Sequence, residues 1–435
     1  MMKPTRLAAW LALLAMLVTA ITLLGDRVVS AKLAPPREHI VNRIAFVSLD
    51  GRIRSVRPNG SSVREISPDD GLYTWPTWSP DARKLVFSGI VGPPGSAQIN
   101  LYAYTRFSGR VQSIYSGEPG VAGLLAEGVV HYPLWSPDSQ TVAFIAITRQ
   151  GLTLLLDDLS DDPSADFVLG QGPLWISWSH NSQYMLIHRG ASHFLLDTSG
   201  DLQPELLDFQ TARYRVPAWK PREDAVTVMR ETEPDRYSLY TVEVSATGPD
   251  ATQQVMEVES DPAFMWSPRG DFLAVAGSPR GLELMGSVML VYQDLKLVPD
   301  SETVDPMTIE DNVLAFFWSP DGSKLAYVTL SQVRGVLTWN LLDMNSRVQR
   351  RLIDFIPSRN QLTMFQFFDQ YAYSHSLWSP DSRSLVFAGR PSTEATEASF
   401  GADPGHEDPH IIVLDTDTRS VEYIADGILG FWSPR

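Results

Sequence analysis

The tetrapeptide Trp-Ser-Pro-Asp occurs intact at Trp78, Trp135, Trp318 and Trp378. Looser copies stand at Trp178 (WSHN), Trp219 (WKPR), Trp266 (WSPR) and Trp432 (WSPR, where the chain ends). Copies recur every 41 to 60 residues, and self-similarity on that scale signals a repeat architecture. The same events follow each copy. After Trp318, Pro320-Asp321-Gly322 supplies a tight turn, and KLAYVTL, VLTWNLL and VQRRLIDF then read as three strands. After Trp78 the same places are taken by KLVFSG, INLYAYT and VQSIYSG. A short strand ending in Trp, a turn and three further strands make a four-stranded antiparallel unit. Many such units in series predict an all-β fold, a β-propeller.

The copy at Trp432 has no strands after it, whereas RIAFVSLDGRIRSVRPNGSSVREIS (43–67) reads as three strands with no Trp motif before them. The expectation is eight four-stranded blades, with the C-terminal strand completing the blade that the N-terminus begins, so that no edge is left free. On this reading the motif is scaffold. Each Trp sits on an innermost strand and buries its ring against the neighbouring blade, and Ser-Pro-Asp turns the chain.

The repeat, WSPDG followed by an alternating β-rich strand, resembles the WD-like propeller repeat of the TolB family. Trp318 to Gly322 with Leu325, Ala326 and Tyr327 is the nearest copy, and Ala or Ser replaces Gly after Trp78, Trp135 and Trp378. The likeness spans almost all of residues 41–435 and implies an extracytoplasmic interaction scaffold. It departs from TolB itself, which carries an α/β domain ahead of a six-bladed propeller. It departs also from prolyl oligopeptidases, which carry a hydrolase domain after theirs.

Ahead of the repeats, Lys3 and Arg6 precede an uncharged stretch from Leu7 to Gly25. Its length of roughly 28 Å as a helix, at about 1.5 Å per residue, matches a bilayer's hydrocarbon core. Basic residues before it place the N-terminus in the cytoplasm and the remainder across the membrane. A cleaved signal peptide ending near Ala20 or Ala31 is the alternative, and the length favours an anchor. The expected order is anchor or signal 1–25, linker 26–40, and propeller 41–435.

The formal net charge of −16 argues against a nucleic-acid partner. With no cysteine in the chain, disulfides, thiolate metal sites, a cysteine nucleophile and a lipoprotein anchor are excluded. His406-Glu407-Asp408-Pro409-His410 spells HExxH, but Pro409 breaks the helix that a zinc peptidase needs there. A solvated loop is expected instead. The carboxylates of DDLSDDPSAD (157–166) lack EF-hand spacing, and there is no G-x-S-x-G elbow and no phosphate loop. No catalytic residue, metal or cofactor is expected.

Two long insertions belong to the unit of Trp378. One, 355–376, concentrates Phe365, Phe367, Phe368, Tyr371 and Tyr373, which either pack over the channel mouth or meet a partner. The other, 390–410, is polar and holds His406, Glu407, Asp408 and His410. Together they are the candidate surface for a protein or peptide of the cell envelope. Carbohydrate or small-ligand binding in the central channel, with or without lyase or hydrolase chemistry, is the competing expectation.

Overall fold

The computed structural model describes residues 42–435 apart from short internal stretches, of which 118–124, 211–215 and 393–407 are the longest. Within it the strands form propeller-type antiparallel sheets, as the repeat predicts. In the sheet of Trp78 the strands Gly71–Trp78, Lys84–Val91, Gln98–Thr105 and Arg110–Ser116 pair in sequence order. The sheets of Trp135, Trp178 and Trp219 are likewise four-stranded.

The remaining strands run together because three long ones change partners midway. Met307–Trp318 pairs first with Ser287–Pro299 (Lys296 opposite Thr308) and then with Lys324–Leu330 (Phe317 opposite Ala326). It is the outer strand of one unit and the inner strand of the next. Val348–Pro357 and Val421–Trp432 do the same. The second of these joins the chain ends, with Phe431 opposite Ala45 and Ile44 opposite Trp432.

The motif Trp does more than bury a ring. Indole Nε1 of Trp135 donates to the carbonyl of Thr77 at 3.1 Å, that is, to the residue just before the preceding motif Trp. Trp178 donates to Leu134, Trp219 to Ser177, Trp318 to Met265 and Trp378 to Phe317 by the same rule. A free carbonyl on each of these five inner strands thus acquires a buried donor from its neighbour, which welds sheet to sheet. Trp266 uses Thr227 Oγ1 instead, and Trp432 uses Asn42 Oδ1. Trp78 is the exception, for its buried Nε1 has no partner among the described residues.

Around the turns the Ser hydroxyl closes the loop on itself. Ser79 Oγ donates to Asp81 Oδ1 and accepts from the amide of Lys84. The last position of the turn is left-handed, as at Ala82 (φ 55°), Ser139 (66°) and Gly322 (66°), which is why the family pattern favours Gly there. Serine at that place is put to use: Ser139 Oγ accepts from the amide of Asp81, and Ser382 Oγ from that of Asp321.

A direct test follows from the indole ladder. Trp378→Phe should cost about 1–2 kcal/mol by orphaning the Phe317 carbonyl. Trp78→Phe shrinks a buried ring in the same way but loses no hydrogen bond, so it should cost less than Trp378→Phe by about that amount. Urea unfolding of the two variants side by side measures the difference, and equal losses would show that ring burial alone matters.

Candidate functional site

The insertion at 355–376 departs most from what the sequence suggests. Phe355, Ile356 and Pro357 pair with Pro391, Arg390 and Gly389, and the Ser358 amide bonds to the Ala388 carbonyl. The ladder then resumes at Leu377, whose carbonyl accepts from Val386, and Trp378 bridges Leu385. Residues 359–376 therefore leave from the middle of an inner strand. Inner strands line the channel, so a segment emerging there has the channel to fill.

It fills it with two short helices, α1 (Arg359–Gln366) and α2 (Phe368–Tyr371). Ser358 caps the first, its Oγ accepting from Gln361 N at 3.0 Å. Gln361 is itself buried, and its Oε1 accepts from the amide of Ala388 at 3.0 Å, tying the helix back to the sheet it left. Phe365 is fully buried among Phe317, Trp339 and Phe355. Phe368 packs edge-on to Phe316 at 4.9 Å and against Tyr292. Tyr371 stacks on Trp75 at 4.3 Å and meets Tyr132, whose hydroxyl donates to the Gln370 carbonyl at 2.9 Å. Phe316, Phe317, Phe355, Trp75 and Tyr132 come from inner strands of several units, so the helices form a plug in the channel.

The fit depends on a residue outside the repeat pattern. Trp75 lies between Thr74 and Thr77, where the strand register slips, and it has φ 53°. A bulky residue in the left-handed region is rare, and a bulge there re-aims the side chain. The indole is thereby turned onto Tyr371.

Below α2 the chain continues along the channel toward the Trp-motif turns. His375 is buried, with Thr77 Oγ1 2.7 Å from Nε2 and Ser374 Oγ 2.6 Å from Nδ1. Phe431 packs against its ring at 4.4 Å. Burial pushes its imidazole down to about 3, so it is neutral. His131, buried with Ser88 Oγ 3.1 Å from Nδ1, is pushed down to about 3 by the same cause. Both are held by hydroxyls and packed against aromatic rings.

For the expected partner surface the outcome is mixed. Phe365, Phe368 and Tyr371 are buried in the plug, which corrects their assignment as partner-facing. The segment that carries them leaves from the middle of an inner strand and so enters the channel, which is the reason. Phe367 is partly buried against the same core, and Tyr373 is 38% exposed at the turn end of the channel. His406 and Glu407 lie outside the described residues, as does most of 390–410. Asp408 is exposed, and His410 Nδ1 sits 2.8 Å from Asp426 Oδ1 in a surface pair, so these two are not brought to the plug. Among the described residues no group of three or more His, Asp or Glu is placed to hold a metal. The helix, though not its burial in the channel, is signalled by Ser358-x-x-Gln361, a capping-box pattern, followed by apolar residues at Leu362, Phe365 and Phe368.

Four of the exposed apolar side chains lie on the face opposite the Trp-motif turns. The long hairpin of Phe272–Leu284 and Ser287–Pro299 carries Val288, 66% exposed, and Leu290. Gln366 of α1 reaches the Val288 carbonyl, joining hairpin to plug. Leu49 and Leu72 are exposed at the junction of the N-terminal strands, where the Leu72 side chain lies against Gly51. Elsewhere a polar cleft of about 850 Å³ opens between the sheets of Trp219 and Trp266, with Arg236, Tyr237, Gln254, Asp294 and Lys296 on its walls.

Fold and plug together define a β-propeller protein whose channel is filled by its own residues. Dihydro-heme d1 dehydrogenase NirN is similar in structure, with a TM-score of 0.52 at 13% identity over 91% of this chain and 76% of that one, a likeness of fold alone. TolB from Acinetobacter baumannii matches with a TM-score of 0.38 and 13% identity over 82% of this chain and 84% of its own. In sequence, a component of eukaryotic translation initiation factor 3 from Xenopus laevis is 22% identical over 225 residues, 49% of this chain. The aligned part spans 29% of that relative's length. No family model matches the chain.

Proposed function

We propose that the chain is a membrane-anchored, extracytoplasmic propeller of eight blades that serves as a non-catalytic scaffold for a protein of the cell envelope. The plug carries this reading. A propeller whose channel is packed with its own aromatic residues has its binding surface on the outside, and the exposed apolar hairpin at Val288 and Leu290 supplies one. The eight-blade count is supported by the eight motif Trp residues and by the strand shared between the chain ends. The anchor rests on residues 7–25, which lie outside the described residues; among those described, no helix is long and apolar enough to cross a membrane.

The test uses the full-length chain, tagged at its C-terminus, cross-linked in intact host cells and then fractionated. The expected result is a chain in the membrane fraction, digested by protease added outside the cytoplasmic membrane. It should also carry a cross-linked protein that Val288→Ser with Leu290→Ser releases. A protease-protected chain in the cytosol would overturn the location. A cross-link indifferent to the double substitution would overturn the surface.

The second reading is small-ligand or carbohydrate binding, with or without lyase or hydrolase chemistry. It is favoured by the polar cleft beside Arg236 and Lys296, not by the channel. A glycan array that lights up with the wild-type chain and goes dark with Lys296→Ala would move the assignment there.

A further inference from the structure

Three arginines meet at the turn face of the sheet that both chain ends complete. Arg43 precedes the strand Ile44–Ser48, Arg57 follows Ile53–Val56, and Arg64 opens Arg64–Glu65. Ile44 lies opposite Val56 and Ser55 opposite Arg64, so the register sets all three at one end of the sheet. Arg106 joins them from the corresponding turn of the neighbouring sheet, where its amide donates to the Arg83 carbonyl at 2.9 Å. The Arg43 side chain is buried and donates to the carbonyls of Ser55 and Ser62, which holds the turn between Arg57 and Arg64 in shape. Burial, and then the charges of Arg64, Arg57 and Arg106, push its guanidinium down to about 10. No ion pair relieves Arg57, Arg64 or Arg106 among the described residues, for Glu65 turns to Arg54 at 2.7 Å and Asp81 faces Arg83 at 3.6 Å. Like charges brought together in this way repel. In a chain of net charge −16 such a knot stands out, and an anion outside the fold would relieve it.

The same two turns hold apolar side chains out to solvent. Val63, 54% exposed, stands beside Arg64. Phe107, 67% exposed, stands next to Arg106, whose guanidinium lies 4.4 Å from the ring centre. No large apolar side chain among the described residues is more exposed than Phe107. Positive charge alone would suit any anion, whereas positive charge around apolar tips suits a surface that presents phosphates over hydrocarbon. Arginine grips a phosphate through two parallel N–H bonds, and an aromatic ring at a loop tip gains by entering the headgroup boundary. The path of the chain selects the same surface. The described part begins on this face, at Asn42, whose amide donates to the Arg435 carbonyl. Residues 26–41, between it and the uncharged stretch Leu7 to Gly25, reach at most about 55 Å.

We propose that the turns 57–64 and 106–110 dock the propeller on an anionic bilayer, with Arg57, Arg64 and Arg106 on lipid phosphates and Val63 and Phe107 in the headgroup region. The inference rests on the membrane-anchored reading above and adds an orientation to it. Docked in this way, the propeller turns the Val288 hairpin, on the opposite face, away from the lipid and toward a partner. The four arginines lie up to 63 residues apart in the chain, so only the fold assembles a basic patch on an acidic protein.

With no cysteine in the chain, a single label can be placed at will. The full-length chain carrying Ser108→Cys, labelled with a polarity-sensitive dye, is reconstituted into vesicles of phosphatidylcholine alone or with about 30% phosphatidylglycerol, with and without a quencher on the acyl chains. Glu283→Cys, on the opposite face, is the control. In the anionic vesicles the label at 108 is expected to shift to the blue and to be quenched, and the label at 283 to do neither. Arg57→Gln with Arg64→Gln should lower the docked-to-free ratio about 25-fold, at about fivefold for each arginine near an anionic surface. Phe107→Ser should lower it with the charges intact, and raising salt from about 0.1 M to about 1 M should release the label. Equal quenching at 108 and 283, equal quenching in both kinds of vesicle, or a double arginine variant that docks like the wild type would each overturn the site. A label at 108 blind to both vesicles would overturn it too and leave the arginines to an acidic protein. Flotation with the neutral vesicles reads the anchor separately. A chain that does not float with them sinks the anchored reading, while the label at 108 in anionic vesicles still decides the docking.

Discussion

Lowering the pH from 8 to 5 is expected to remove about 4 kcal/mol of folding stability through His131 and His375 alone, at about 1.4 kcal/mol per unit of pKa difference. Both imidazoles are pushed down to about 3 by burial, against an ordinary value of about 6.5 in the unfolded chain. The sign follows from which state takes up protons. Above pH 6.5 neither state binds one, and stability is full. Between 6.5 and about 3 the unfolded chain is protonated and the folded one is not, so protons pull the equilibrium toward unfolding. Each residue then contributes a loss of about 2 kcal/mol by pH 5. His193, also buried, is held well below its ordinary value by burial and acts in the same direction. The carboxylate of Asp321, held at about 2 by bonds from Ser319 and Ser323 against the cost of burial, adds its own loss only below about pH 4. Urea unfolding at a series of pH values checks this. His375→Gln, which keeps a polar group between Thr77 and Ser374, should flatten the slope between pH 6.5 and 5. A stability that stays constant down to pH 5 would show that these imidazoles are not buried neutral.

Phe365→Ala is expected to destabilise the fold by about 3–5 kcal/mol, the range for removing a large ring from a packed core. The ring is fully buried and touches Phe317, Trp339 and Phe355 from different strands, so the surroundings cannot collapse onto the space without moving the sheets that define the channel. Phe367, two residues on and only partly buried, should cost far less on the same substitution. Calorimetry or urea unfolding of the two variants distinguishes a plug that belongs to the cooperative core from one that rests in the channel as a detachable lid. A loss at Phe365 no larger than at Phe367 would favour the lid. Replacing all the aromatic residues of 365–373 together would, for the same reason, test folding and not binding.

Much of the fold was legible because the repeat is local chemistry. Trp, Ser-Pro-Asp and an alternating strand each declare themselves within a few residues. The return of Trp432 without following strands, set against the unmatched strands at 43–67, pointed to the pairing of Ile44–Ser48 with Val421–Trp432 that the structure contains. The indole ladder was not legible, since its acceptors are carbonyls 42 to 61 residues away, and Trp135 and Trp78 look alike in sequence while only one finds a partner. Nor was the fate of the aromatic insertion. Composition at 355–376 fits a surface and a plug equally, because the same rings are apolar in either place.

What the sequence alone determined, then, is the unit and its repetition: hydrophobic alternation, turn chemistry and a bulky ring at each inner strand's end are properties of neighbouring residues. Tertiary structure decided where those rings go. Residues 359–376 leave the sheet between the partners Ala388 and Val386 of an inner strand, and only the closed arrangement of strands around the channel converts that point of departure into burial. The bulge that turns Trp75 onto Tyr371, and the junction that leaves the Trp78 indole without an acceptor, arise the same way, from distant segments meeting in space.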